Sequence, residues 1–115
     1  MSSTPMQEST YLILTALVEE NRHGYAILEE VRRISAGRVE LRAGTLYAAL
    51  DRLRTGGFVE VEREELVQSR LRRYYRLTGS GARRLAEESA RLRSNAEAAS
   101  ERLRRAGLLI QGGAA

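Results

Sequence analysis

From position 82 to position 106 the chain places a small or apolar residue at 82, 85, 89, 92, 96, 99, 103 and 106, steps of three and four alternating without a break. These residues, Ala82, Leu85, Ser89, Leu92, Ala96, Ala99, Leu103 and Ala106, form a heptad seam along one side of a helix. Twenty-five helical residues span roughly 37 Å. The helix needs something to pack against, and Leu85, Ser89, Leu92, Ala96, Ala99 and Leu103 are the candidate dimerisation positions. The small members of the seam fit either a tight helix–helix approach or a pocket between helices.

By length the remainder is a single compact domain. Tyr11, Leu12, Ile13, Leu14, Ala16, Leu17 and Val18 are too continuous for a surface helix and read as one buried on most sides. It starts between Thr4 and Ser9. Thr4 to Gln7 form one candidate capping box, and Ser9 and Thr10 are alternative caps. After a break at 21–24, a second helix has Tyr25, Ile27, Leu28, Val31 and Ile34 as its apolar stripe, with Gly37 closing it. Tyr25 is assigned to the core. Val39-Glu40-Leu41 alternates like a very short strand.

The segment RAGTLYAALDRL at 42–53 predicts a third helix with Leu46, Leu50 and Leu53 inward, ended by Gly56-Gly57. Thr45, Tyr47, Ala48, Ala49, Asp51 and Arg52 occupy the rest of its surface, and small residues at 48 and 49 permit a partner's close approach. Residues 58–63 alternate as a strand, and 70–77 place Leu71, Tyr75 and Leu77 on one face of another; 64–69 join them. Thr78-Gly79-Ser80-Gly81 opens the long last helix. The fold class is thus mainly α with a small β-hairpin (α+β). The order of elements fits a winged helix-turn-helix over residues 1–78, a C-terminal dimerisation helix over 79–106 and a flexible tail over 107–115.

A helix-turn-helix lays its second helix in the major groove, with residues near that helix's start reaching bases and flanking groups holding phosphates. Here that helix begins at Ala43 or Gly44, where free N–H groups favour a phosphate and Arg42 adds charge. Thr45 fits a base edge or a phosphate, Tyr47 a phosphate, and Ala48 a thymine methyl. Arg52 lies further along the exposed face. The alternatives are a helix cap for Thr45 and a core position for Tyr47. On the hairpin, Arg70, Arg72 and Arg73 suit the backbone or minor groove and supply affinity, or are merely solvated. Glu60, Glu62, Glu64 and Glu65 just before them neutralise part of that charge.

All 19 basic residues are arginine and the net charge is +4, with residues 70–115 carrying 11 arginines against 4 acids. Arginine's planar fork suits phosphates and guanine edges, and a GC-rich genome is the alternative explanation of the residue type; the clustering is the better sign of a polyanionic partner. No cysteine and one histidine leave no metal cluster, and no cofactor is expected. His23 has no nucleophile partner, so no catalytic role is assigned to it, and Gly24 is expected to permit close packing. No apolar run spans a bilayer, and the first ten residues lack a secretory pattern, so a cytoplasmic protein away from membranes is expected.

HGYAI at 23–27, RAGTLYAALDRL at 42–53, Gly57-Phe58-Val59 and RRYYRLTGSG at 72–81, in that order, resemble the PadR family of bacterial transcription regulators. The resemblance covers roughly Leu12 to Ala82. It implies a winged helix-turn-helix and a homodimer formed through the last helix, as in the small single-helix subgroup. It also implies repression at inverted repeats in double-stranded DNA, and in many members a small hydrophobic or aromatic effector. By position, Thr45, Tyr47, Arg72 and Arg73 fall where the family meets DNA. Alanine stands at 43 and 48 where many members have proline, and no tryptophan is present to stack a planar drug. A winged-helix protein-interaction module without specific DNA binding is the alternative; an enzyme is not expected.

Overall fold

Four helices and one antiparallel sheet make up residues 5–108, the part described by the computed structural model. In chain order they are α1 (Glu8–Ala16), β1 (Arg22–His23), α2 (Gly24–Ile34), α3 (Ala43–Thr55), β2 (Val59–Val67), β3 (Arg70–Leu77) and α4 (Gly79–Arg105). The sheet order is β1-β3-β2. This is the expected α+β class with its long last helix. The chain divides into two compact units within α4, one running through Leu85 and the other beginning at Ala86.

In the first unit α1 buries Leu12, Ile13, Leu14 and Ala16, and the core continues through Leu17, Ile27, Val31, Leu46, Leu50, Val59 and Tyr75. Gln7 is the N-cap of α1 and contributes no side-chain cap bond. Neither Ser9 nor Thr10 caps it, since both lie inside the helix, while Thr4 is outside the described residues. Arg22 closes its other end, its Nε donating to the Ala16 carbonyl at 2.7 Å. A guanidinium there satisfies an orphan carbonyl and complements the helix dipole.

Helices α2 and α3 both end on left-handed residues. After α2, Ala36 (φ 55°) and Gly37 (φ 82°) reverse the chain, and the Gly37 N–H donates back to Arg32 O at 2.8 Å. After α3, Gly57 (φ 81°) does the same, with the Phe58 N–H donating to Leu53 O at 2.9 Å. Both are Schellman closures. Thr78 then caps α4, its hydroxyl accepting from the Gly81 N–H at 3.0 Å and donating to Gly57 O at 2.7 Å.

Several expectations need correction. Arg22–His23 is a third strand, paired with Tyr75 and Tyr74 of β3. Val39–Leu41 is no strand, because the Val39 N–H is taken by Ser35 Oγ at 3.0 Å. Residues 64–67 belong to β2 rather than to a loop, so the connection is only Gln68-Ser69, both with positive φ. A register shift between Val61 and Arg63 bulges the hairpin. Tyr25 is 66 % exposed, not core, and Ala49 is buried rather than on the free face of α3. Leu71 shares a face with Tyr75 but is exposed.

Leu85 packs against the first unit's core. In the second unit Ser89 is half-buried, while Leu92, Ala96, Ala99 and Leu103 are exposed along α4. Gly107 (φ 75°) closes this helix, with the Leu108 N–H donating to Leu103 O at 2.9 Å, so the segment assigned to a flexible tail begins as a helix stop. Residues 109–115 of that segment lie outside the described residues.

Candidate nucleic-acid interface

The surface of α3 is set by what its leucines bury. Leu46, Ala49, Leu50 and Leu53 face the core, so Gly44, Thr45, Tyr47, Ala48, Asp51 and Arg52 are turned outward with Arg42 and Ala43 ahead of them. Arg42 is the N-cap in an extended conformation and makes no side-chain cap bond, and Thr45 lies inside the helix rather than capping it. The first-turn amides of an exposed helix start have no intrahelical acceptors. A Cβ on Gly44 would have nothing within 4 Å among the described residues, and its backbone is helical, so their packing does not demand glycine there. Arg42 and Arg52 have no carboxylate partner among the described residues.

Tyr47 lies between the two predicted readings of it. Its ring packs over Gly24, where an added Cβ would stand 2.7 Å from Cζ and closer still to the hydroxyl, yet the side chain is 46 % exposed. The glycine at the start of α2 is thus the seat of this tyrosine, the close packing expected there. Beside it opens a cleft of about 220 Å³, with His23, Tyr25 and Tyr47 on one side and Arg70, Leu71, Arg72 and Arg73 on the other. Tyr47 and the three predicted wing arginines, Arg70, Arg72 and Arg73, therefore border one concavity. Arg42, Gly44, Thr45, Ala48 and Arg52 lie outside it on the exposed face of α3.

The arginines differ in their partners. Arg73 donates through Nε to Glu64 at 2.8 Å, and that bond holds its guanidinium's pKa up. Arg76 pairs with Glu60. Arg63 lies 3.8 Å from the centre of the Tyr74 ring and 3.1 Å from Glu62, while the Tyr74 hydroxyl donates to Glu65 at 3.0 Å. Cross-strand carboxylates thus absorb much of the hairpin's charge, as the run of glutamates suggested. Arg70 and Arg72 have no carboxylate partner among the described residues. His23 meets Tyr74 edge-to-face at 5.3 Å, and burial, then the charge of Arg72, lowers its pKa.

Tyr25, assigned to the core, and His23, given no catalytic role, are cleft residues that the predicted site did not include. Counting the period from Gly24, Ile27 and Val31, which are buried, would have put Tyr25 outside the stripe. Its hydroxyl bonds Glu29 one turn on, which raises its pKa. Among the described residues no group of carboxylates and histidine could hold a metal ion, and no helix is long and apolar enough to cross a membrane.

The sequence model of the PadR-like transcriptional regulator family matches residues 13–87. A PadR family transcription regulator of Clostridium difficile superposes with a TM-score of 0.70 at 26% identity, over 84% of this chain and 99% of that one. One from Eggerthella lenta gives 0.68 at 28% identity, over 82% and 80%. Bacillus subtilis PadR, solved in complex with operator DNA, shares the fold with a TM-score of 0.63 at 23% identity, over 70% of this chain and 47% of that one.

Proposed function

Since this chain belongs to the PadR-like family of transcriptional regulators, we propose that it is a repressor that binds an inverted-repeat operator in double-stranded DNA as a homodimer. The exposed, uncapped start of α3 carries this reading. Among the described residues, first-turn amides without an acceptor, a glycine whose Cβ position is open and an arginine without a carboxylate partner lie together there. A phosphate satisfies the amides and Arg42, and Gly44 lets the backbone approach it closely. Thr45 and Ala48 then meet base edges, Tyr47 turns its hydroxyl to a phosphate, and Arg52 contacts the backbone further along. On the hairpin, which acts as the wing, Arg70 and Arg72 supply charge and Arg73 is held by Glu64. The operator complex of Bacillus subtilis PadR supports this reading.

The dimer forms through α4, whose Leu92 and Leu103 remain 41 % and 40 % exposed beside Ala96 and Ala99. Ser89 and Leu85 extend that seam toward the winged helix. A two-fold pair addresses half-sites roughly 34–36 Å apart. A small hydrophobic or aromatic effector between the α4 helices would release DNA by changing that separation. A mobility shift on DNA from upstream of the protein's own gene, with unrelated competitor, tests the reading. A discrete complex surviving competitor is expected; a complex erased equally by any DNA would overturn specific binding and favour an interaction module.

A further inference from the structure

The core face of the hairpin runs through Val59–Leu77 and Val61–Tyr75, passes the bulge, and continues through Glu64–Arg73 to Leu66–Leu71. Beyond the bulge this face is exposed among the described residues, bordered only by the cleft at Leu71. Leu66 is 73 % and Leu71 57 % exposed, two leucines directly opposite one another immediately before a two-residue turn. The pair stabilises the ribbon a little by mutual contact, but most of its apolar surface is left in water, where burial against a partner would be favourable. The turn residues Gln68 and Ser69 both adopt positive φ, 51° and 66°, which makes the tip narrow and tightly closed.

The chemistry around the pair selects its occupant. Residues 66–72 contain two arginines and no acid, and neither Arg70 nor Arg72 has a carboxylate partner among the described residues. Leu71 and Arg70 also border the cleft that Tyr47 of α3 closes on its other side, so the apolar pair is continuous with the proposed DNA interface. A second copy would bring a wing of equal positive charge against it; duplex DNA brings phosphates.

Resting on the DNA-binding reading, we infer that the wing tip is an apolar wedge: Leu66 and Leu71 enter the minor groove beside the half-site, Arg70 follows them, and the duplex bends away. Apolar side chains that part base steps in this groove kink DNA toward the major groove. Flexible pyrimidine–purine steps yield most easily, so the wedge adds a sequence preference where no base is hydrogen-bonded.

The test uses the full chain and random 40-base-pair duplexes carried through rounds of binding, comparing wild type with Leu66→Ser/Leu71→Ser. The bend is read by energy transfer between dyes at the ends of a duplex that wild type recovers. Wild type is expected to enrich a core motif flanked by TA or CA steps and to bend it. The double variant keeps the core motif, loses the flanking preference and the bend, and binds at least tenfold more weakly. Arg70→Gln is expected to lower the salt dependence while keeping the bend. Unchanged flanks, bend and affinity in a double variant of native circular dichroism would overturn the wedge alone. Failure of wild type to enrich any motif would overturn the DNA-binding reading beneath it.

Discussion

Gly24→Ala separates an effect on the interface from an effect on the fold. The new Cβ would lie 2.7 Å from Tyr47 Cζ, where ordinary contact begins at 3.4 Å, so the ring must retreat by about 0.7 Å at that atom and further at the hydroxyl. Tyr47 is half-exposed and its hydroxyl, the atom seated over Gly24, has no hydrogen-bond partner among the described residues, so it swings aside rather than breaking the core. Gly24 is the first residue of α2, where alanine's helical advantage is smaller than the ~1 kcal/mol of an interior position, so the melting temperature is expected to change by no more than a few degrees. DNA binding behaves differently. A hydroxyl bond to a charged phosphate contributes roughly 1.5–3 kcal/mol and fails once the atoms leave the 2.5–3.0 Å range. That corresponds to a loss of roughly 10- to 150-fold, read by fluorescence anisotropy on a recovered duplex. In a Tyr47→Ala background, which has no ring to displace, Gly24→Ala is expected to be neutral for binding. Equal losses in both backgrounds would refute the idea that glycine acts by seating Tyr47.

Three further outcomes follow from the same contacts. Arg42→Ala is expected to weaken all duplexes alike and to reduce the slope of log affinity against log salt by about 0.9, as loss of one phosphate contact requires. Gly81→Ala sets a Cβ against the Phe58 carbonyl and 2.8 Å from Leu77 Cδ1; backbone cannot swing aside, and urea melts are expected to show about 1–3 kcal/mol of destabilisation. His23 has its pKa lowered in the folded state, so its contribution is intact above the unfolded value of about 6.5 and is lost as pH falls through the lower folded one. Solvent screening keeps this under about 1 kcal/mol, and His23→Phe, which keeps an aromatic ring against Tyr74, is expected to flatten the thermal stability profile between pH 7 and 5.

The features that could be read from the sequence are those with a local cause. Glycines at 37 and 57 stop helices because the backbone there is left-handed, and the leucines of α3 repeat at the period that buries them. What could not be read depends on distant partners. Arg22–His23 is a strand only because β3 lies beside it, and Val39–Leu41 alternates like a strand but has its first amide held by Ser35. The glutamate-rich end of β2 lacks apolar alternation, and its turn has neither glycine nor asparagine to announce it. Ala49 and Tyr25 are placed correctly only when the period is counted from every buried residue of their helix, Leu46 and Leu53 for Ala49 and Ile27 and Val31 for Tyr25. Of the interface, the outward set on α3 was legible; the seat of Tyr47 on Gly24 and the joining of α2, α3 and wing around one cleft needed tertiary structure.

The most direct test of the central claim is the symmetry of the DNA that the full chain selects from random duplexes. The account predicts an inverted repeat whose half-site centres are about 10 base pairs apart or a multiple of that, with a footprint protected by two chains per duplex. Enrichment of one unrepeated site by a single chain, or of no sequence at all, would contradict it.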